Sequence, residues 1–412
     1  MRGRVDPAAR HTPTPLNAVL PEAQRAAGPR TKRRRGVGGA ALGAILLLFL
    51  LAAATYAFAQ PVDARIGGEQ VRVVPFATGL DTPWSIAFLP DGRLLVTERD
   101  GRLRPIDATG KVGAPISGVP KVAARGQGGL LDVVLDPKFA QNRLIYLSYA
   151  EPRPEGAATA VARGRLAEDL SRLTDLDVIF RQQPAVSGGN HFGSRLVFAP
   201  DGMLFVTLGE RFNYMDKAQD LSTTLGKVVR IAPDGSIPAD NPFVERAGAR
   251  PEIWSYGHRN VQAAAIEPGT GALWTVEHGP RGGDEVNRPE AGENYGWPVI
   301  GYGRHYSGAQ IGVGTAKEGM EQPLFYWDPS IAPSGAAFYT GAALPGWRGQ
   351  LFVGALAGQA LVMVKVRDGA VIGEERLPLG KRIRDVRMGP DGALWLAAES
   401  TGEILRVVPA GR

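Results

Sequence analysis

Residues 196–208 read LVFAPDGMLFVTL. Two apolar runs, Leu196-Val197-Phe198 and Leu204-Phe205-Val206, flank Pro200-Asp201-Gly202. Short apolar runs on either side of a Pro-Asp-Gly turn read as strand, tight turn and strand. The same unit recurs as AFLPDGRLLVT from Ala87, VVLDPKFAQNRLIYLSY from Val133 and AIEPGTGALWTVE from Ala265. It appears again as AFYTGAALPGWRGQLFVGA from Ala337 and VRMGPDGALWLAA from Val386. The turn prolines, Pro90, Pro137, Pro200, Pro268, Pro345 and Pro390, are 45 to 77 residues apart. That spacing leaves room for four short strands and a variable loop per unit. Six such units predict an all-β fold, a six-bladed β-propeller. A β-sandwich would also use many short strands, but it leaves the repeat unexplained. In a propeller the inter-strand loops of all blades meet around an axial funnel, so functional residues should come from widely separated loops. Residues 151–181 and 280–327 read as surplus loop between repeats, where binding groups are usually carried.

The propeller domain is expected over residues 60–412, and residues 1–59 differ from it. Lys32-Arg33-Arg34-Arg35 is followed by about 24 residues without a charge, containing ILLLFLL. Ala57-Phe58-Ala59 fits a small-x-small cleavage site, so the segment reads as an export signal. The apolar run is also long enough to cross a bilayer as an uncleaved anchor. Either way the basic flank predicts a periplasmic domain, free or held at the inner membrane. Nine of the 47 Lys and Arg and two of the 41 Asp and Glu precede Gln60, leaving 38 basic and 39 acidic residues. The domain therefore lacks a nucleic-acid footprint. The chain has no cysteine. Disulfides, thiolate metal sites and cysteine nucleophiles are thereby excluded.

Immediately before the first quoted strand runs SGGNHFGSR, residues 187–195. A histidine on a glycine-rich loop can approach a ligand closely, and His191 is the candidate general base. The other reading is a loop histidine bonded to a carbonyl. His258, His278 and His305 also sit in Gly-rich stretches, and convergence on one funnel mouth is expected. Residues 277–298, EHGPRGGDEVNRPEAGENYGWP, place Asp284 and Glu285 in what reads as a flexible loop with many carbonyls. Hard oxygens of that kind suit Ca²⁺, although a solvated acidic turn has the same composition. Two cationic stretches follow, YGHRN at 256–260 and KRIRD at 381–385. Strand alternation would put Arg382 and Arg384 on one face, where paired guanidinium groups suit a ligand with several carboxylates. Gln127, within Gly126-Gln127-Gly128-Gly129, can hydrogen-bond a ligand. No phosphate-binding loop or dinucleotide fingerprint is present.

Taken together and in order, GQGGLLDVVLDP, GGNHFGSRLVF, LGKVVRI, EIWSYGHRN, EHGPRGGDEVN, NYGWP and RIRDVR resemble the soluble PQQ-dependent sugar dehydrogenases, closest to the aldose sugar dehydrogenase branch. The resemblance covers residues 71–408. It implies a quinoprotein that oxidises the anomeric hydroxyl of an aldose to an aldonolactone, with PQQ and Ca²⁺ as cofactors. The implied partners are an aldose and an electron acceptor, a quinone or cytochrome. By the same resemblance His191 matches the catalytic base. Gln127, Arg259, Asn260, Tyr306, Arg382 and Arg384 match positions that hold PQQ. The carbonyls of Gly279 and Pro280 match ligands of the calcium that also binds the quinone. Glu285 and the Tyr295 carbonyl match a structural calcium site. Two departures stand out. In the PQQ-contacting loop after Gly354-Ala355-Leu356, where the family carries lysine, this chain has Ala357. The glucose dehydrogenase branch has Asp before its histidine. Here the residue is Asn190, so no adjacent carboxylate is expected to support His191. Two other readings are a calcium-dependent propeller lactonase and a non-catalytic propeller that binds sugar or protein. Convergence of Arg259, Arg382 and Arg384 on one anion argues against both.

Overall fold

A computed structural model describes residues 60–411. The export or anchor segment read at residues 1–59 lies outside the described residues. The chain forms six antiparallel sheets in sequence order, the blades of a propeller. Blade 1 holds β3 (Pro83–Phe88), β4 (Leu94–Glu98) and β5 (Arg102–Ile106), and is preceded by β1 (Val62–Ile66) and β2 (Glu69–Ala77). Blade 2 holds β6 (Leu130–Leu135), β7 (Leu144–Arg153), β8 (Gly156–Leu166) and β9 (Leu173–Arg181). Blade 3 holds β10 (Leu196–Phe198), β11 (Leu204–Thr207), β12 (Lys227–Ile231) and β13 (Ile253–Tyr256). Blade 4 holds β14 (Val261–Ile266), β15 (Leu273–Glu277), β16 (Asp284–Asn287) and β17 (Phe325–Trp327). Blade 5 holds β18 (Pro333–Phe338), β19 (Leu351–Ala355), β20 (Ala360–Arg367) and β21 (Ala370–Pro378). Blade 6 holds β22 (Ile383–Met388), β23 (Leu394–Ala398) and β24 (Glu403–Pro409). β2 and β1 add to the outer edge of blade 6, in the order β22-β23-β24-β2-β1. The two ends of the domain thus share one sheet.

The six repeat units of the sequence are the first two strands of the six blades, and every turn proline sits between them. Strand alternation explains how the blades stack. Leu204 and Val206 of β11 enter a core with Tyr146, Val161 and Phe180 of blade 2. Phe205, between them, points the other way, into a core with Ala264 and Leu273 of blade 4. Alternate residues of each strand therefore face the two neighbouring blades. One apolar cluster fills each of the six inter-blade interfaces.

Two expectations need correction. Residues 151–181 are not surplus loop: they are the end of β7, then β8 and β9, the outer strands of blade 2. Asp284 and Glu285 open strand β16 rather than a flexible loop. Asp284 masks the strand because the groups that satisfy it come from neighbouring loops.

In five blades the innermost strand shifts register near its start, between Pro83 and Ser85, Leu130 and Val133, Val261 and Ala263, Pro333 and Ala336, and Ile383 and Asp385. Bulges re-aim side chains, and here polar groups fill the buried axis. Arg195 Nη1 lies 2.9 Å from Asp385 Oδ1 and 3.5 Å from Asp132 Oδ1. Its Nε donates to the Gln262 carbonyl at 2.8 Å and Nη2 to the Arg384 carbonyl at 3.0 Å. This network forms the floor beneath the face where the inner strands begin.

Candidate active site

The candidate residues lie on that face, because the loops entering the inner strands and leaving the second strands both end there. The loop before β10 delivers His191, whose φ of +53° is left-handed. The conformation is unfavourable for a residue with a Cβ and is held from both sides. His191 N–H donates to Gln127 Oε1 at 2.8 Å, and Nδ1 lies 2.9 Å from Glu210 Oε1. Gly209 is required between these strands, since a Cβ there would meet the His191 carbonyl at 2.2 Å and Asn260 Oδ1 at 2.9 Å. The ring of His191 packs edge-on against Phe212, with centroids 5.1 Å apart.

His191 and Glu210 are both buried. Burial, reinforced by the charges of Arg259 and Arg211, holds the imidazole well below its ordinary range. Burial pushes the Glu210 carboxyl up to about 7, against the opposing pull of Arg259 and Arg211. The imidazole is therefore neutral at neutral pH, and an Nδ1–H directed at Glu210 leaves Nε2 as a free base. Glu210 is the residue that sequence reasoning missed. Its acid lies on the second strand's exit, not beside the histidine where Asn190 stands. A signal existed: Glu98 and Glu277 end β4 and β15, and Glu399 directly follows β23.

The remaining candidates gather around this pair to different degrees. Asn260 is buried, and its Oδ1 accepts from Gly193 N–H at 3.0 Å while Nδ2 has no partner. Arg259 is buried over the Trp297 ring at 5.3 Å. Its Nη1 donates to the carbonyls of His278 and Gly279 at 3.0 and 2.7 Å, and its Nε is unpartnered. Two buried donors without acceptors beside a neutral base suit a ligand rich in oxygen. Arg384 is buried and places Nη2 at 2.7 Å and Nε at 2.8 Å from Glu399 Oε2, with Nη1 2.7 Å from Gln262 Oε1. Arg382 precedes β22 and is half-buried, and its charge is felt by both Arg384 and Glu399. The two arginines share one region, but Arg384 is engaged by a carboxylate rather than open. Tyr306 is 64% exposed and stands 6.3 Å from Phe212, ring to ring. Ala355 ends β19 inside the core between blades 4 and 5, while Ala357 is exposed in the turn that follows.

The histidines separate. His278 is half-buried with Nε2 on the Pro333 carbonyl, and burial pushes it down to about 3. His258 is buried with Nδ1 2.9 Å from Glu277 Oε1 and Nε2 2.9 Å from Ser255 Oγ, a structural pairing. His305 sits in a surface turn with its N–H on the Ala309 carbonyl, away from these contacts.

The acidic stretch divides its labour. Asp284 accepts from Gly279 N–H (2.8 Å), Ser330 Oγ–H (2.6 Å), Ile331 N–H (2.7 Å) and Ala332 N–H (3.0 Å). It ties two loops together. Glu285, by contrast, lines a cavity of about 20 Å³ with Glu277, Gly279, Pro280 and Tyr295. That volume holds one water or ion. Burial and the charge of Glu277 push Glu285 up to about 8, and Asn287 Oδ1 beside it is unpartnered. Two carboxylates at such a cavity and an orphaned amide oxygen beside it fit a hard cation. No cluster of three or more acidic or histidine side chains stands in metal-binding arrangement among the described residues, so backbone carbonyls would complete the shell. The Gly279 and Pro280 carbonyls are left for a separate ion: both residues line the same small cavity, and the Gly279 carbonyl already accepts from Arg259.

The chain is 52% identical over 346 residues to aldose sugar dehydrogenase YliI of Escherichia coli (strain K12), covering 82% of this chain and 93% of that one. The crystal structure of the soluble aldose sugar dehydrogenase from Escherichia coli in the apo-form superposes with a TM-score of 0.80 at 50% identity, covering 82% of this chain and 99% of that one. The PQQ-bound aldose sugar dehydrogenase of Streptomyces coelicolor gives a TM-score of 0.70 at 30% identity, covering 84% of this chain and 99% of that one. Residues 80–406 match the Glucose / Sorbosone dehydrogenase family model, and the chain belongs to that family.

Proposed function

We propose that this protein is a PQQ- and Ca²⁺-dependent aldose sugar dehydrogenase that oxidises the anomeric C1 hydroxyl of aldoses to aldonolactones. The observation that carries the reading is a buried neutral His191, oriented by Glu210 at 2.9 Å, beside the unpartnered donors Asn260 Nδ2 and Arg259 Nε. The relatives named for aldose sugars and PQQ support the substrate and cofactor. PQQ, when bound, supplies a quinone that accepts hydride and three carboxylates that need cations, and Ca²⁺ polarises the quinone. Arg259, Asn260, Gln127, Arg382 and Arg384 would hold it, with Tyr306 at the rim. Gly279 and Pro280 offer carbonyls for the cofactor's calcium, and Glu285 with the Tyr295 carbonyl for a structural one. His191 takes the C1 hydroxyl proton at Nε2 as hydride leaves C1. Glu210 keeps the imidazole in the tautomer that can do so and offsets the charge it gains. The floor built on Arg195 closes the axis below and limits water entry from that side. The protein acts in the periplasm, delivered by residues 1–59, and passes its electrons to a quinone or cytochrome.

The test is reconstitution. Purified apoprotein receives PQQ and Ca²⁺ and is screened with aldoses and an artificial electron acceptor. Turnover should require both additions and disappear on chelation. His191→Ala should bind PQQ with near-normal affinity and turn over roughly 10²–10⁴-fold more slowly, the share of a positioned base. Full turnover in that variant, or lactone hydrolysis without PQQ, would overturn the reading.

A further inference from the structure

Four residues other than glycine take left-handed φ in or beside this site: His191 at +53°, Ser194 at +93°, Arg211 at +66° and Phe212 at +70°. Such conformations persist where the surroundings over-determine them. Arg211 and Phe212 are consecutive and directly follow Glu210. The turn they make directs the Glu210 carboxylate to His191 Nδ1 and brings the Arg211 guanidinium into the loop that carries His191.

Arg211 is fully buried. Its Nη1 donates to the Ala157 carbonyl at 2.6 Å, Nη2 to the Gly188 carbonyl at 2.8 Å and Nε to the Asn190 carbonyl at 3.0 Å. The guanidinium carbon stands 3.8 Å from the Phe192 ring centroid. One planar fork thus grips the residues before His191 and the ring after it, and fastens them to β8. No carboxylate is among these partners. Glu210 supplies charge nearby but no hydrogen bond, so the arrangement is not an ordinary ion pair and the fork itself makes the ties. A lysine could not reproduce it, because three donors on one tetrahedral nitrogen do not reach three carbonyls set around a planar fork.

We infer that Arg211 is the positioning residue of the general base, holding the 188–192 loop so that His191 keeps Nδ1 on Glu210 and Nε2 toward the substrate. The inference rests on the reading of His191 as base. Arg211 also contributes charge. The groups facing His191 are Glu210 and Arg211 after β11, Arg259 before β14 and His278 after β15. Arg211 and Arg259 both oppose protonation of the imidazole.

Two variants separate geometry from charge. Arg211→Lys keeps the cation and loses the fork, whereas Arg211→Gln loses both. In apoprotein, the Hδ1 resonance of His191 reports its hydrogen bond to Glu210 by NMR, independently of PQQ and sugar. In reconstituted enzyme, kcat, KM, PQQ affinity and the pH–rate profile are measured. Arg211→Lys should weaken or lose the Hδ1 signal and lower kcat about 10- to 100-fold. Its KM and PQQ affinity should stay within about twofold, and its acid limb should not move. Arg211→Gln should add an upward shift of the His191 titration, read in the same NMR experiment. If Arg211→Gln does not fold, Arg211→Lys decides alone. An unchanged Hδ1 signal and kcat in Arg211→Lys overturns the inference. So does a loss of PQQ affinity in step with kcat, which would make Arg211 part of the cofactor pocket. If His191→Ala retains turnover, the base assignment fails, while the Hδ1 signal still shows whether Arg211 positions the ring.

Discussion

At His191, burial has opposite effects on the two members of one hydrogen bond. The imidazole is held well below its usual range and the Glu210 carboxyl is pushed up to about 7. Below that pH Glu210 takes a proton, no longer holds the charge that keeps the imidazole proton on Nδ1, and can donate to Nδ1 instead, the arrangement that places the imidazole's own proton on Nε2 and blocks the base. Above it, the carboxylate accepts from Nδ1–H and Nε2 is free. The expected outcome is that kcat/KM rises with pH through about 7 and then levels. A limb far below 6.5 would assign the titration to His191 alone. Glu210→Gln removes this limb and no longer selects the tautomer, so turnover should fall by roughly 10²–10⁴-fold. A pH–rate profile of both proteins checks it. The proposed cofactor clamp is tested at Arg384 and Ala357. Arg384→Ala should weaken PQQ about 10- to 100-fold, and Ala357→Lys should tighten it about 10-fold. A hydrogen bond to a charged group contributes roughly 1.5–3 kcal/mol, and 1.4 kcal/mol is a factor of ten. Titration of apoprotein with PQQ at excess Ca²⁺ reads both.

Among the elements, the second strands of the blades share a habit. Glu98 ends β4, Glu277 ends β15, Glu399 follows β23 and Glu210 lies three residues past β11. Each acid meets its own partner: Glu98 with Arg102 at 2.6 Å, Glu277 with His258 at 2.9 Å, Glu399 with Arg384 at 2.7 Å and Glu210 with His191 at 2.9 Å. Blades 2 and 5 depart from the habit, with Tyr149-Ala150 and Leu356-Ala357 at that place. Repetition of the unit thus put an acid on the funnel rim several times, and the loop opposite decided its use. β16 shows the same economy, with Asp284 tying loops and Glu285 turned to the small cavity. Ca²⁺ at about 100 times its Kd stabilises a fold by about 2.7 kcal/mol, so it should raise the Tm of PQQ-free protein by several degrees. Glu285→Gln should lose most of that increment. Equal Ca²⁺ shifts in both proteins, by calorimetry, would remove Glu285 from the site.

For the whole molecule, closure of the ring is the structural commitment. β2 pairs with β24 from Val71 opposite Pro409 to Ala77 opposite Ile404. Ile66, Val71 and Val73 complete the core that blade 6 shares with blade 5. A chain lacking residues 60–78 would leave the β24 edge open and that core uncovered. It should be insoluble or show no cooperative thermal transition, whereas a chain beginning at Gln60 should melt cooperatively. Circular dichroism melts of the two proteins test the point. The same closure fixes the inner strands around Arg195, Asp132 and Asp385, and so the floor on which the site is built.

By itself the sequence determined the six hairpins, their order and the loop bearing His191. Those features depend on short-range physics: alternation along a strand and the backbone freedom of Pro-Asp-Gly turns. It also brought Gln127, Arg259, Asn260 and Arg384 into view as polar residues in glycine-rich or charged stretches at blade ends. The tertiary structure alone decided their partners. Glu210 reaches His191 across 19 residues and a pair of left-handed residues, Arg211 and Phe212, whose identity does not announce that conformation. Asp284 is taken by Ser330, Ile331 and Ala332 of the next blade's entry. Arg384 is claimed by Glu399 and Gln262, 15 and 122 residues away. A side chain's type states what it can bond, but which group stands within 3 Å is set by ring closure and blade packing, which no local stretch encodes.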